Sequence, residues 1–254
     1  MNTIWARSAA VSGARHLRMA RNGQDAAASW VGDGAAAIVV CDGCGSSPSS
    51  EVGARLGAQL VIAAVAARLE ASERPAALWT GVRTQVAAAL RSLADAMPGG
   101  RAAAIREHFL FTIVAAAVQG DEVCVWAIGD GAFARGDRGA AREGAALSVI
   151  ELGPFEDNQP PYLAYDLLDM PQPARLDLLD GASGVVAVAT DGVAEIGLAG
   201  LLDDATLAHG DGLRRRLAVL ARGGERIDWN ARRVIRTPAT LQDDGAVAVL
   251  RWQP

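Results

Sequence analysis

Five carboxylates stand where apolar segments break off, and together they are the residues of this sequence best suited to chemistry. The segments Val39–Gly43, Ala127–Gly131, Ala187–Gly192 and Gln242–Val249 each join an apolar run to Asp42-Gly43, Asp130-Gly131, Asp191-Gly192 or Asp243-Asp244-Gly245. Asp25 stands at the entrance of a further run that begins at Ala26. A single Asp-Gly is an ordinary turn signal. Its repetition at the ends of strongly apolar strands carries more, because side chains at neighbouring strand ends can converge on one rim. Gathered carboxylates repel one another and titrate as a coupled set. A hard divalent cation such as Mn²⁺ or Mg²⁺, which takes oxygen ligands, relieves that repulsion. Two such ions ~3.5–4 Å apart generate a hydroxide and clamp a phosphoryl group during in-line attack. His16, His108 and His209 show no zinc spacing, so the expectation is a dinuclear site built from oxygen ligands.

The elements that must position these residues follow from periodicity. Residues 3–12 alternate and suggest a first strand. Residues 26–31 and 35–41 suggest a hairpin around Gly32-Asp33-Gly34. The second of these is continuously apolar, as a strand covered on both faces should be. From Ser49 the spacing becomes helical to Glu70, with a Ser/Glu start that resembles a cap. A second helix over roughly 76–96 opens at Pro75 and ends at Pro98-Gly99-Gly100. Residues 109–119 and 122–128 predict strands joined by Gly120-Asp121, with 132–135 continuing their sheet. Residues 151–173, rich in Pro, Asp, Asn and Gln, predict a long irregular loop. A strand over 184–190, a helix over 201–222 and a last strand over 246–252 complete the chain. There is no internal repeat and no linker, so the expectation is one domain over 1–254, with a helical layer packed on sheet.

In this order the motifs resemble the metal-dependent protein serine/threonine phosphatases of the protein phosphatase 2C type, in the bacterial branch. The carriers are Gly13-Ala14-Arg15-His16, Asn22-Gly23-Gln24-Asp25, Asp42-Gly43-Cys44-Gly45, Gly129-Asp130, Thr190-Asp191-Gly192 and Asp243-Asp244-Gly245-Ala246-Val247. Asn158-Gln159 resembles a further feature of that branch. The match spans nearly the whole chain. The resemblance implies an α+β fold, a four-layer α-β-β-α sandwich with two central, mainly antiparallel sheets flanked by helix pairs. It implies that Asp42 bridges two Mn²⁺ or Mg²⁺ ions, that the Gly43 carbonyl binds one of them, and that Asp191 and Asp243 ligate the other. Asp42, Asp191 and Asp243 would then be the catalytic set. Asp25 would act through bound water, and Asp130 would serve a third site. Asp243 rather than Asp244 would be the ligand in the closing motif. It further implies attack by a water held between the ions on phosphoserine or phosphothreonine, without a covalent phospho-enzyme.

Several positions depart from the family pattern. Ala20 occupies the place where the family often carries a phosphate-binding Arg, and Arg21 and Arg18 are the nearest replacements. Ser46 replaces a Gly, Leu110-Phe111-Thr112 replaces Gly-Thr-Thr, and Ala246 replaces a Thr. These leave the carboxylates intact. They keep open the alternative of a catalytically weak member acting as a phosphoprotein-binding regulatory module, and that of a small-ester hydrolase. Cys41 and Cys44 have C-x-x-C spacing, read here as a strand-end hydrophobe and a loop residue rather than a redox pair.

Composition narrows the classes further. The chain has 254 residues, 51% hydrophobic and 21% charged, an ordinary globular balance with enough length for a sizeable core. A net charge of −5 argues against a general nucleic-acid binder. All 24 basic residues are Arg, which excludes a Schiff-base or P-loop lysine. No apolar run of membrane length and no signal-peptide core is evident, and three cysteines are too few for a disulfide framework. The expectation is a cytoplasmic protein whose partner is a phosphorylated protein, the target of a Ser/Thr kinase, with no membrane and no nucleic acid.

Overall fold

The computed structural model describes residues 3–136, 147–180 and 184–253. In chain order, β1 (Thr3–Val11) leads through the short helix α1 (Ala14–Met19) to a hairpin of β2 (Ala26–Val31) and β3 (Ala35–Cys41). Helices α2 (Ser50–Glu70), α3 (Trp79–Ala96) and α4 (Gly100–Ala104) follow, the last passing into a π turn over Ile105–Phe109. Then come β4 (Ile113–Gln119), β5 (Glu122–Ile128), β6 (Ala132–Gly136), β7 (Ser148–Glu151), two 3₁₀ turns (Glu156–Asn158 and Leu163–Leu168), β8 (Arg175–Asp180) and β9 (Gly184–Ala189). After α5 (Asp191–Ile196), α6 (Asp204–Ala208) and α7 (Gly212–Leu220), a separate hairpin of β10 (Gly224–Asp228) and β11 (Arg233–Thr237) precedes β12 (Gly245–Gln253).

Two five-stranded antiparallel sheets form the centre, in the orders β1-β12-β9-β6-β7 and β2-β3-β4-β5-β8. Period-2 alternation explains why their central strands are apolar throughout. In β3, Ala35, Ala37, Val39 and Cys41 face the α2–α3 layer. Ala36, Ile38 and Val40, between them, face the other sheet. In β12, Ala246, Ala248 and Leu250 point between the sheets, whereas Val247 and Val249 point at α5–α7. The result is helix, sheet, sheet, helix, in agreement with the α+β sandwich expected from the motifs.

Several local expectations are corrected. Ser49 makes no capping hydrogen bond. Ser50 is the anchored residue: its Oγ donates to the Cys44 carbonyl at 3.0 Å and accepts from Gln24 Nε2 at 2.5 Å. The second helix starts at Trp79, not 76, after a turn over residues 75–78. Residues 109–111 do not begin β4. The π turn packs so tightly on α2 that a Cβ on Gly53 would lie 1.9 Å from the His108 carbonyl oxygen, and Phe109 and Phe111 fill the core beneath. β6 leaves the sheet of β4 and β5 and pairs with β9 in the other sheet. The helix expected over 201–222 is divided at His209–Asp211 into α6 and α7. The loop over 151–173 holds two 3₁₀ turns, the second of which buries Leu163, Ala164 and Leu167. By length and composition α2 is apolar enough to cross a bilayer, against the expectation that no such segment exists. It is a core helix here, burying Val61, Val65 and Leu69 against the sheet.

Candidate active site

The aspartates meet at one end of the sandwich, where the two sheets open. Ala26 pairs with Cys41, which places Asp25 and Asp42 side by side at the end of the β2–β3 hairpin. From the other sheet, Val247 pairs with Ala189. Thr190 N then donates to the Ala246 carbonyl at 3.0 Å, which sets Asp191 and Asp243 at the same rim. Asp130 lies in the crossing from β5 to β6. The flanking Gly129 and Gly131 have φ of +98° and +120°, which L side chains rarely adopt, and a Cβ on Gly131 would sit 2.6 Å from the Ala189 carbonyl oxygen.

A pocket of about 400 Å³ is lined by Asp25, Asp42, Asp130, Asp191, Asp243 and Asp244, with Gly43, Cys44, Thr112 and Tyr162 among its other walls. The backbone beside Asp42 is fixed by Thr112 N, which donates to the Asp42 carbonyl at 2.8 Å, and by Cys44 N, which donates to Leu110 O at 2.9 Å. Gly43 has no room for a side chain, since a Cβ would lie 2.7 Å from the Gln24 carbonyl oxygen. Asp25 is buried and accepts from the Thr190 hydroxyl at 2.7 Å. Burial, with the charges of Asp244, Asp191 and Asp243, nevertheless holds its carboxyl well above the usual range. Asp42 is raised in the same way by burial, by the charges of Asp25 and Asp191, and by a hydrogen bond with Asp191. Asp130 is pushed up to about 6 by burial and the charge of Asp191.

Asp243 and Asp244 divide their work. Asp244 is 4% exposed, and its carboxylate accepts from Gly13 N at 2.8 Å and Gln24 N at 2.6 Å and bonds His16 Nδ1 at 2.6 Å. It is occupied in tying β12 to α1 and to the segment before β2. Asp243 is exposed; its Oδ1 accepts from Asp244 N at 2.9 Å, and Arg15 lies 3.6 Å from its Oδ2.

Of the two arginines expected to hold phosphate, Arg21 lines the pocket. Arg18 does not: its guanidinium turns to Gln242 Oε1 at 3.4 Å. Ala20 closes α1 in the left-handed region, φ 51°, and that turn brings Arg21 to the rim. Arg15 also lines the pocket and was missed. Its place one residue before His16, within the same motif, was the available signal. Tyr162 was missed too, because nothing in a proline-rich loop marks which residue turns inward. Asn158's side chain lies outside the described residues. All three cysteines are free, with Cys41 and Cys124 buried. Burial pushes the Cys41 thiol up. Burial also raises Cys44, but hydrogen bonds with Ser46, Tyr162 and Ser47 outweigh it and leave the thiol below its ordinary value.

The donor set suits a hard divalent cation. Every carboxylate is an oxygen ligand, the basic residues lining the pocket are Arg15 and Arg21 together with His16, which is engaged by Asp244, and two of the acids sit far above their normal titration range. Among the described residues no three His, Cys, Asp or Glu side chains form a ready-made chelate.

The family model of protein phosphatase 2C matches residues 12–226. The chain belongs to the protein phosphatase 2C family. Solved structures of similar fold include a PstP catalytic domain in complex with two manganese ions (16% identity, TM-score 0.61, 100% of both chains). Another is PppA, described as a regulatory component of T6SS in Pseudomonas aeruginosa (17% identity, TM-score 0.62, 99% of this chain and 100% of that one). RsbX in complex with magnesium is a third (12% identity, TM-score 0.53, 98% and 96%). No curated protein matches the chain in sequence. In this protein phosphatase 2C chain, the six pocket aspartates come from both sheets and from the crossing between them, so the two sheets must pack correctly before the pocket exists.

Proposed function

We propose that the chain hydrolyses phosphoserine and phosphothreonine in proteins, using two divalent ions. One observation carries the reading: Asp25, Asp42, Asp130, Asp191 and Asp243 share a single pocket with Arg15 and Arg21. Acids hold cations, and arginines hold phosphate oxygens in a bidentate grip. Asp42, the Gly43 carbonyl, Asp191 and Asp243 would hold the ions, with Asp25 acting through water and Asp130 serving a third position. Bound Mn²⁺ or Mg²⁺ would make water a nucleophile near neutral pH and offset charge on the phosphoryl group.

The chain's own residues do the positioning. The Thr190 hydroxyl fixes Asp25. Asp244 anchors the backbone from which Asp243 projects. Arg21 orients the phosphate at the rim. The substrate on this reading is a phosphoprotein, the product of a Ser/Thr kinase.

Phosphate release from a phosphothreonine peptide tests the proposal. Release should require Mn²⁺ or Mg²⁺ and disappear in Asp191→Asn; folded wild-type protein that releases nothing from several peptides overturns it. Within the same assay, Arg21→Ala should raise KM about tenfold, the loss of one charge-assisted hydrogen bond of ~1.4 kcal/mol. Arg18→Ala should stay within about twofold, because a solvated arginine contributes little. Equal effects of the two substitutions would mean that the phosphate sits elsewhere.

A further inference from the structure

A second cleft, of about 370 Å³, lies against the acidic pocket. Its walls are mostly apolar, with Ala127, Leu152, Pro154, Phe155, Pro161 and Pro173 the main contributors. At two places residues adjacent in sequence line one and the other. Asp130 and Pro160 line the pocket, while their neighbours Gly129 and Pro161 line the cleft. Gly153, also in the cleft wall, lies so close to Asp130 that a Cβ there would sit 3.7 Å from Asp130 Cβ.

The segments that form its walls are tied down by contacts made elsewhere. Leu152 N donates to Gly131 O at 2.9 Å. On the other side, α3 grips the segment that returns from Tyr162 to Pro173. Arg83 donates to both Asp166 carboxylate oxygens at 2.6 and 2.7 Å and to Gln172 O at 2.7 Å. Arg91 donates to Asp166 O at 2.7 Å, and Arg101 to Leu167 O at 3.2 Å. Three arginines from the helical layer thus fix a loop that otherwise has little regular structure. At the rim Arg175 is already paired with Asp177, at 2.7 and 3.0 Å. Besides the exposed Glu151 in its lining, what the cleft offers an incoming chain is shape and apolar surface.

We propose that this cleft receives an apolar side chain of the phosphoprotein substrate, one or two residues from the phosphorylated one. The inference rests on the phosphatase reading. An extended peptide advances about 3.3 Å per residue, so a chain whose phosphate lies among the aspartates and which leaves the pocket past Asp130 and Pro160 comes next to Gly129 and Pro161, which line the cleft. Its next side chain on that side meets the cleft. Apolar burial in a preformed cleft discriminates between substrates by tens of fold, and the rigid walls lower the ordering cost of binding.

The test uses two phosphothreonine peptides that differ only in carrying Leu or Ser at the two residues on each side of the phosphate. Wild-type enzyme should favour the Leu peptide in kcat/KM by about tenfold or more, mainly through KM. Ala174→Trp, which fills the cleft from its exposed edge, should bring that ratio to near one. A ratio is read because a general loss of activity does not move it. Equal use of both peptides by wild type, or a preference that survives Ala174→Trp, overturns the proposal. Fluorescence anisotropy of the labelled peptides on catalytically silent Asp42→Asn measures the same ratio without turnover. Release of phosphate from p-nitrophenyl phosphate, which has no flanking residues, reports separately on the phosphatase reading. Silence there with a Leu preference in anisotropy would remove the activity and keep the cleft.

Discussion

Asp42→Asn should abolish divalent-dependent phosphate release while making the metal-free protein more stable. The loss follows from the position of Asp42 between Asp25, Asp191 and Asp130, all of which raise its titration. If two ions provide several kcal/mol of transition-state stabilisation, their loss lowers kcat by at least about a hundredfold. The gain in stability has the same origin. The folded-state carboxyls of Asp25 and Asp42 sit well above the ordinary 3.8 because burial and neighbouring carboxylates disfavour their charged forms. Between that ordinary value and the raised one, the folded state holds more protons than the unfolded state. Stability contributed by these groups is therefore present on the acid side and falls as pH rises through the window. As pH rises through that window the metal-free protein takes on the repulsion, and replacing one carboxylate by an amide relieves part of it. Thermal unfolding without metal should show Asp42→Asn above wild type at pH 7.5, with the gap closing toward pH 4. For a chain of this size, each kcal/mol relieved moves Tm by roughly 2–4 °C. Mn²⁺ should raise the wild-type Tm and move the variant much less. A variant less stable than wild type at pH 7.5 in chelator would show that Asp42 has a structural role and not a strained one.

Much of this arrangement was legible in the sequence, and the physical reason differs from element to element. β3, β9 and β12 could be placed almost to the residue, because strands covered on both faces are continuously apolar and here border directly on an Asp-Gly or Asp-Asp-Gly turn or on Thr-Asp-Gly. β2, an edge strand with Ser29 and Val31 less covered, was marked by the turn that joins it to β3. The abrupt change from apolar run to Asp marked Asp42, Asp130, Asp191 and Asp243 as candidates. Partner choice was not legible: apolar periodicity reports burial, not which sheet does the burying, so the crossing of β6 to β9 was missed. Edge and surface elements were hidden for the opposite reason. β8 leaves Leu176 and Leu178 exposed, and the β10–β11 hairpin leaves Ile227, Trp229 and Val234 exposed, so neither follows an inside-outside pattern. The π turn at Ile105–Phe109 depends on the absence of a side chain at Gly53, a contact between residues more than fifty positions apart. Arg15 and Arg18 lie on one short helix of similar character, and only the reach of each guanidinium separates the one at the pocket from the one at Gln242.

Asp243 and Asp244 are adjacent and identical in type, the motif favours Asp243 as the ligand, and substitution should separate the two cleanly. Asp244→Ala removes an acceptor shared by two backbone amides and an imidazole, all inside the protein. The donors of Gly13 and Gln24 would be left without partners, and His16 would lose its buried counterpart. Breaking such a buried charged network costs about 3–5 kcal/mol, a large share of the ~5–15 kcal/mol by which a typical domain is stable. No rearrangement of α1 can easily compensate. The backbone at Gly13 already runs so close to β12 that a Cβ there would lie 1.9 Å from the Asp243 carbonyl oxygen. Asp243→Asn keeps the Oδ1 acceptor for Asp244 N and loses only a distant, solvent-screened contact with Arg15. Its stability should stay within about 1 kcal/mol of wild type, while divalent-dependent phosphate release falls to background. Urea unfolding of the two variants, read beside phosphate release, decides the matter. Equal destabilisation by both would mean that the two carboxylates share one structural task. Asp244→Ala that unfolds like wild type would mean that the links from β12 to α1 and to Gln24 do not hold the two sheets in register.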